Sequence, residues 1–340
     1  MRMRRLKVRG RSAVYHCMSR AVNREQLFDT RAKEVLRRML WQAAEFSGVE
    51  VLSYCVMSNH FHVLVRVPDA EQVQVSDGEL VRRYCVLYPR PTKNQTMACE
   101  VLELLLAEGG EVGEKARARL LNRMHDVSQY MKTLKQRYTL WYNGTYGRVG
   151  TLWSERYKSV LVEGAAAALQ IVAGYIDLNP VRAGIVTDAK DYRWSSYGEA
   201  VGGSGRARRG LSAVMAATGP RSEARNRWFE TQGAYRMYLY CKGSQPAPGK
   251  EEAVLPQGQW RKEMERGGKL SVAEALRCRV RYFSDGAVIG SSEYVQHVLG
   301  TYGKQFGWKR PKSALPMKGS DWGGLTVGRQ LRREIFGSTG

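Results

Sequence analysis

Two histidines separated by a single residue lie in a segment whose residue types predict a β-strand. His60 and His62 flank Phe61, and the β-branched and apolar residues that continue to Val67 favour an extended chain. Side chains two residues apart on a strand project from the same face, so the two imidazoles are expected side by side. Paired imidazoles on a rigid strand form half of a divalent-metal site. The pattern alone leaves open a pair of ordinary strand histidines.

A second candidate set lies at the end of a predicted helix over residues 165–176. Tyr175 and Asn179 are four residues apart and share a helix face if the last turn persists as far as Pro180. A tyrosine hydroxyl and an amide oxygen presented together suit metal-assisted phosphoryl transfer. Because the chain has eighteen tyrosines, a packed aromatic ring is the alternative interpretation of Tyr175.

The charge balance predicts a polyanionic partner. The 340 residues include 54 Lys and Arg against 32 Asp and Glu, a formal net charge of +22. Nucleic acid is the first candidate and an anionic membrane surface the second. No apolar run is long enough for a transmembrane helix, and the basic N-terminus lacks the apolar stretch of a signal peptide. These features predict a cytoplasmic protein that binds nucleic acid.

The six cysteines are scattered and include no Cys-x-x-Cys pair. This spacing predicts reduced thiols, several of them packed, and does not support a zinc ribbon. His16 lies in a predicted first strand over residues 13–18, where a structural role is the simpler interpretation.

Further elements follow from apolar periodicity and from glycine and proline. A helix capped by Asp29 or Thr30 is expected to end near Phe46, and a second helix is expected over residues 127–142. Residues 143–150 read as a glycine-rich loop, and residues 202–210 as a flexible basic linker. Between them, Arg156 and Lys158 would share one face of a strand and contact a nucleic-acid backbone. A solvated strand face is the alternative.

Taken together, the motifs resemble the single-tyrosine transposases of the HUH endonuclease superfamily, and most closely the REP-associated tyrosine transposases. The resemblance covers about residues 10–200. Its motifs are Met57-Ser58-Asn59-His60-Phe61-His62, Gln136-Arg137-Tyr138, residues 150–159, residues 175–184 and residues 192–197.

The resemblance implies an α+β fold with a ferredoxin-like antiparallel sheet core, helices packed on it and a mostly helical C-terminal extension. Residues 1–200 would form the nuclease domain, with an excursion at about residues 69–126. Residues 201–250 would be a linker and helical segment, and residues 251–340 a helical extension that adds DNA binding.

The resemblance also implies a set of site residues. His60, His62 and Asn179 would hold Mg²⁺ or Mn²⁺, and Tyr175 would be the nucleophile. Trp153 would stack on a base. Contacts to the DNA backbone would come from Arg137, Arg156, Lys158 and Arg182.

The implied function is metal-dependent cleavage and joining of single-stranded DNA through a 5′-phosphotyrosine intermediate. Hairpin or palindromic repeats would be the substrate. The protein would be a bacterial, nucleoid-associated monomer or homodimer with no membrane partner. The alternative is a non-catalytic nucleic-acid-binding protein derived from such a transposase.

Overall fold

The computed structural model describes residues 6–89, 97–216, 228–240, 272–277, 279–303, 313–328 and 336–337. The chain forms two compact units. We call residues 7–51 and 56–157 the histidine unit. The tyrosine unit comprises residues 52–55 and 158–340 together with residue 6. This division follows packing and not chain order, so the domain boundaries near residues 200 and 250 stay predictions.

The histidine unit is built on an antiparallel pair of strands, β1 (Ala13–Arg20) and β3 (His60–Val67). Their register opposes Arg20 to His60 and Ala13 to Val67. Before β3 comes β2 (Glu50–Val56), and the turn between them is closed by the Met57 N–H, which donates to the carbonyl of His60 at 2.8 Å. The predicted strand–turn–strand arrangement around the histidines is confirmed.

Two long helices pack together in this unit, α1 (Thr30–Ser47) and α5 (Val127–Tyr146). The Asp29 side chain caps α1 by accepting from the Ala32 N–H at 2.7 Å, as one of the two predicted caps. Tyr138 on α5 donates its hydroxyl proton to the carbonyl of Ala32. This contact joins the middle of α5 to the first turn of α1.

The predicted glycine-rich loop over residues 143–150 is wrong in its first half, because α5 continues to Tyr146 and ends at Gly147, whose φ is +62°. The Tyr146 ring stacks on Tyr142 one turn earlier, with centroids 4.4 Å apart, and its hydroxyl donates to Asp29. Ring packing at i,i+4 and this distant hydrogen bond favour the helix over the glycine signal.

The excursion is helical, with α2 (Asp77–Leu87), α3 (Cys99–Glu108) and α4 (Gly110–Leu121). Cys85 on α2 and Cys99 on α3 form a disulfide. The prediction that all six cysteines are reduced is therefore wrong for this pair, because helix packing brings together two thiols whose spacing gave no sign of it. Cys17 and Cys55 are buried thiols.

The strands of the tyrosine unit are β4 (Lys158–Val162), β5 (Arg279–Val280), β6 (Val288–Gly290), β7 (Leu315–Pro316), β8 (Thr326–Val327) and β9 (Phe336–Gly337). Four of them lie side by side in the order β4, β6, β8, β7. β4 and β6 are parallel, and the other neighbours are antiparallel. A separate antiparallel pair joins β5 to β9. The C-terminal extension thus supplies strands as well as the predicted helices.

Most described residues of the extension outside these short strands are helical. The helices of the tyrosine unit are α6 (Ala166–Asp177), α7 (Asn179–Arg182), α8 (Ser196–Val201), α9 (Gly205–Met215), α10 (Trp228–Tyr240), α11 (Val272–Arg277), α12 (Tyr282–Asp285) and α13 (Ser292–Tyr302). The α+β class predicted from the sequence is confirmed. Within the described ranges, no helix is long and apolar enough to cross a membrane.

The predicted flexible linker over residues 202–210 is wrong, because α9 begins at Gly205. The Ser204 side chain caps this helix, and Ala207, Leu211 and Val214 are buried at helical spacing. Helix α9 packs on α6, α8 and α10. The basic residues between its apolar positions gave the segment the composition of a linker.

Candidate functional site

His60 and His62 lie next to each other on β3, as predicted. Their ring centroids are 5.2 Å apart and the rings meet at 79°. Phe61 projects to the other face and packs against Trp153, with centroids 5.7 Å apart. The apolar face therefore anchors the strand and holds the two imidazoles on the opposite side.

His60 belongs to a short chain of hydrogen bonds at the start of β3. Its Nδ1 lies 2.6 Å from Oδ1 of Asn59. The amide nitrogen of Asn59 donates to the carbonyl of Arg24 at 3.0 Å. Arg24 and its neighbour Asn23 both have left-handed backbone, with φ of 61° and 53°. The turn residue Asn59 thus links the imidazole to a constrained loop.

His62 contacts a third imidazole that the sequence interpretation regarded as structural. Nε2 of His16 on β1 lies 2.9 Å from Nδ1 of His62, and the two rings are nearly parallel, at 19°, with centroids 5.1 Å apart. Both side chains are only 2% exposed. The register opposes His16 to Leu64, which places His62 diagonally across the ladder. Only this register identifies His16 as part of the cluster.

The donor set fits one side of a divalent-cation site. Neutral imidazole nitrogens are common ligands for divalent transition-metal ions. Within the described part of the chain, no group of three or more His, Cys, Asp and Glu side chains is arranged to hold an ion. The two histidines would therefore need a further ligand of another type, such as an amide or phosphate oxygen.

Tyr175 lies in the last turn of α6 and is only 3% exposed. Its ring packs on Phe283 of α12, with centroids 4.5 Å apart. The guanidinium of Arg182 lies over the same ring, 4.1 Å from its centroid. The structure thus encloses the predicted nucleophile between the C-terminal extension and α7.

Asn179 does not continue the helix of Tyr175. Helix α6 ends at Asp177, and Asn179 begins the short helix α7. Its amide nitrogen donates back to the carbonyls of Ile176 at 3.1 Å and Tyr175 at 3.3 Å. The buried amide therefore covers the C-terminal end of α6, and its oxygen is the atom that a cation would take.

Asp177, between these two residues, is a buried hydrogen-bond centre. It accepts from the hydroxyl of Tyr235 at 2.7 Å, from the backbone N–H of Tyr197 at 3.0 Å and from the hydroxyl of Ser53 at 3.4 Å. Burial raises the pKa of its carboxyl to about 7. The contacts fix the end of α6 relative to α8, α10 and residue 53.

Trp153 was predicted to stack on a base, and the structure contradicts this. The side chain is 8% exposed and lies among Phe28, Phe61 and Tyr138. Its indole N–H donates to the hydroxyl of Thr139 at 2.9 Å. Because core aromatic side chains surround the ring, a DNA base cannot stack on it. Trp153 instead supports β3 by packing against Phe61.

Arg182 was predicted to contact DNA, but its guanidinium binds within the tyrosine unit. It donates to the carbonyls of Leu276 at 2.6 Å and Tyr175 at 2.9 Å. Arg156 is exposed, and β4 begins only at Lys158. The predicted strand face shared by Arg156 and Lys158 is therefore wrong, because strand geometry does not extend to Arg156.

Arg137 lies in a cationic cluster that includes Arg123, which sequence reasoning did not identify. The two guanidiniums lie 5.6 Å and 5.7 Å from the centroid of the Tyr88 ring, and Arg123 donates to the Tyr88 hydroxyl at 2.8 Å. Burial lowers the pKa of Arg137, as do the nearby charges of Arg123 and Arg38, while Tyr88 opposes the shift. Several like charges at one place favour an anion.

Comparison with known families bears on the histidine unit. Residues 11–83 match the model of the family described as "Transposase IS200 like". This segment contains β1, β2 and β3 with His16, His60 and His62, and it confirms the resemblance predicted there from the sequence. Tyr175 and Asn179 lie beyond the match, so their roles stay predictions. No curated protein matches the chain.

Among the solved structures similar to the chain is "Structure of the REP associates tyrosine transposase bound to a REP hairpin". The two sequences are 15% identical, the alignment covers 60% of this chain and 86% of that chain, and the TM-score is 0.34. The hairpin is part of that protein's structure.

Proposed function

We propose that the protein is a transposase-like nuclease that cleaves and rejoins single-stranded DNA. The observation that carries this proposal is the family match over residues 11–83, which encloses two imidazoles with centroids 5.2 Å apart. Hairpin DNA or palindromic repeats are the substrates that the sequence motifs favour.

In the proposed reaction, the Tyr175 hydroxyl attacks phosphorus in line with the departing 3′ oxygen. A bond forms between the tyrosine oxygen and phosphorus, and the bond from phosphorus to the 3′ oxygen breaks. The phenol proton leaves the tyrosine and the 3′ oxygen gains a proton. The resulting 5′-phosphotyrosine conserves the phosphodiester energy, so the strand can be rejoined without ATP.

His60, His62 and Asn179 are the residues proposed to hold Mg²⁺ or Mn²⁺. When bound, the cation would withdraw charge from a non-bridging phosphate oxygen. The imidazole pair is compatible with this role, and Asn179 is the amide donor that the resemblance selects. Its amide nitrogen is already engaged with helix carbonyls, which leaves oxygen as the donor atom.

Attack by Tyr175 requires a change at its ring. The side chain is 3% exposed and its ring is covered by Phe283 and Arg182, so we infer that the segment carrying Phe283 moves before the tyrosine attacks DNA. The same burial favours the second candidate function, a hairpin-binding protein that does not cleave. In that case Tyr175 is a packing residue.

DNA binding would draw on the net charge of +22 and on the cationic cluster of Arg137 and Arg123. Arg156 and Lys158 remain proposed backbone contacts. Because DNA affinity of this kind arises from counterion release, it is expected to weaken as salt increases.

A covalent-adduct assay tests the proposal. The full chain is incubated with labelled single-stranded hairpins from the repeats near its gene and Mn²⁺, and then separated on a denaturing gel. Wild-type protein should give a shifted band, and Tyr175→Phe should not. Tyr238→Phe removes the hydroxyl of another buried tyrosine of the tyrosine unit and serves as the control.

The outcomes separate the two candidate functions. A band that disappears only in Tyr175→Phe supports the nuclease. Tight hairpin binding without any band supports the non-catalytic protein. Cleavage that persists in Tyr175→Phe would overturn the role of Tyr175 and would support a reaction in which water is the nucleophile.

A further inference from the structure

Each of the two candidate metal-binding histidines has the same ring nitrogen held by a neighbour. Nδ1 of His60 contacts Asn59, and Nδ1 of His62 contacts His16. Neither Asn59 nor His16 belongs to the ligand set that the resemblance implies. The two histidines therefore share one feature, a hydrogen-bond partner at Nδ1, although the two partners come from different parts of the chain.

The hydrogen-bond direction at His60 follows from the amide of Asn59. The carbonyl of Arg24 only accepts, so the group of Asn59 facing it at 3.0 Å is the NH₂. The amide oxygen then faces His60, and an oxygen that only accepts requires a proton on Nδ1. In a neutral ring with Nδ1–H, the lone pair for a metal is on Nε2.

The contact at His62 completes the same arrangement. One of the two nitrogens, Nδ1 of His62 or Nε2 of His16, must donate across the 2.9 Å contact. When Nε2 of His62 serves as a ligand, the proton is on Nδ1 and is donated to Nε2 of His16. Histidine ligands commonly donate their second ring N–H to a neighbouring acceptor, which fixes both the tautomer and the ring orientation.

The backbone near Asn59 is constrained in a way that fits this role. Asn23 and Arg24 are consecutive residues with positive φ, a backbone conformation that residues other than glycine rarely adopt. In this conformation, the carbonyl of Arg24 accepts the hydrogen bond from the amide of Asn59. Strained backbone of this kind is found where a functional group needs a fixed position.

We propose that Asn59 and His16 are positioning residues that hold His60 and His62 as Nδ1–H tautomers and so reserve both Nε2 atoms for one divalent cation. This inference rests on the proposed function, because it assumes the paired histidines bind a metal. It assigns each histidine its own orienting partner, one from the turn before β3 and one from β1.

Metal affinity without DNA provides the first test. Mn²⁺ binding to the full chain is measured by electron paramagnetic resonance. His16→Phe keeps a planar ring and removes the acceptor, and Asn59→Ala removes the amide. Each should weaken Mn²⁺ binding about 10–100-fold. His16→Gln restores an acceptor oxygen and should recover most of the affinity. His297→Gln, a change at an exposed histidine of α13, is the control.

The second test is independent of metal and of any variant's folding. Nitrogen-15 NMR of the histidine rings in the metal-free wild-type protein should show Nδ1–H for both His60 and His62. An Nε2–H tautomer at either ring overturns the proposal for that histidine. Unchanged Mn²⁺ affinity in folded His16→Phe and Asn59→Ala, or no Mn²⁺ binding by the wild type, overturns it entirely.

These results are distinguishable from failure of the proposed function. Wild-type protein that binds Mn²⁺ through correctly oriented histidines, but forms no adduct with DNA, contradicts the nuclease and retains the positioning roles. Adduct formation that is insensitive to His16→Phe and Asn59→Ala, with equal Mn²⁺ affinity, contradicts the positioning roles alone.

Discussion

At the scale of single residues, Asp177 is a fully buried carboxyl that accepts hydrogen bonds from several parts of the tyrosine unit. Its replacement by alanine leaves the buried donors of Tyr235, Tyr197 and Ser53 without their acceptor. We expect Asp177→Ala to lower the free energy of unfolding by about 3 kcal/mol, since several buried polar groups lose a partner. Urea unfolding measures this change.

Tyr235→Phe is the matched control for Asp177→Ala, because it removes one donor and keeps the carboxyl. Tyr235→Phe should lower the free energy of unfolding by about 1 kcal/mol. Equal and small costs for both substitutions would contradict the role of Asp177 as the shared acceptor.

Glu79 on α2 predicts a dependence of stability on pH. Hydrogen bonds from Arg82 and Arg83 lower its pKa to about 2, from 4.5. Because the folded-state pKa lies below the unfolded one, the pairing stabilises the fold above pH 4.5 and is lost as pH falls towards 2. Glu79→Gln should lower the free energy of unfolding by about 1 kcal/mol at pH 7, since solvent screening weakens a pair at the surface. Near pH 2 the decrease should be much smaller.

Unfolding followed at pH 7 and pH 3 checks this expectation, because pH 3 lies between the folded and unfolded pKa values and part of the cost should already be lost there. Glu111→Gln, which affects an exposed helical pair with Lys115, is the control and should change little at either pH. A cost of Glu79→Gln that stays constant between the two pH values would show that the substitution acts through packing and not through charge.

Some of the site could be predicted residue by residue. The neighbouring positions of His60 and His62 follow from strand alternation, which needs only local sequence. The role of His16 depends on the register between β1 and β3, and no local pattern specifies that register. The burial of Tyr175 depends on Phe283, whose contact comes from the far end of the chain.

At the scale of elements, α5 and the segment before it present Arg137 and Arg123 to the Tyr88 ring. We expect each of Arg137→Gln and Arg123→Gln to lower the salt dependence of single-stranded DNA binding. In a plot of the logarithm of the binding constant against the logarithm of salt concentration, the slope is negative. Its magnitude should decrease by about 0.7 for each phosphate that the variant no longer neutralises. Fluorescence anisotropy over a salt series measures it.

Arg82→Gln is the matched control for these arginines, because Arg82 on α2 is paired with Glu79 and Glu45. Its slope should equal that of the wild type. An equal decrease in all three variants would show that the effect is one of total charge and not of this cluster.

Element types were predictable where apolar periodicity was strong, as for α1 and α6. The errors have a common physical origin. Glycines and basic residues led to predictions of loops at residues 143–150 and 202–210, whereas long-range packing extends α5 and forms α9. The disulfide between Cys85 and Cys99 likewise follows from how α2 and α3 pack.

At the scale of the whole molecule, binding and cleavage should respond differently to metal removal. Excess chelator should abolish the covalent adduct, because charge on the phosphate is then uncompensated. Hairpin affinity should remain, since the net charge of +22 does not depend on the cation. A gel-shift assay beside the adduct gel measures both, and loss of binding with chelator would contradict this separation.

The enclosure of Tyr175 by Phe283 has a kinetic consequence. If the ring must leave its packed position before attack, opening is a pre-equilibrium, and the apparent rate is the chemical rate multiplied by the open fraction. Adduct formation would then be slow even with saturating DNA. Conditions that loosen the extension without unfolding the core would increase that rate, because they raise the fraction of molecules in which the tyrosine can meet the phosphate.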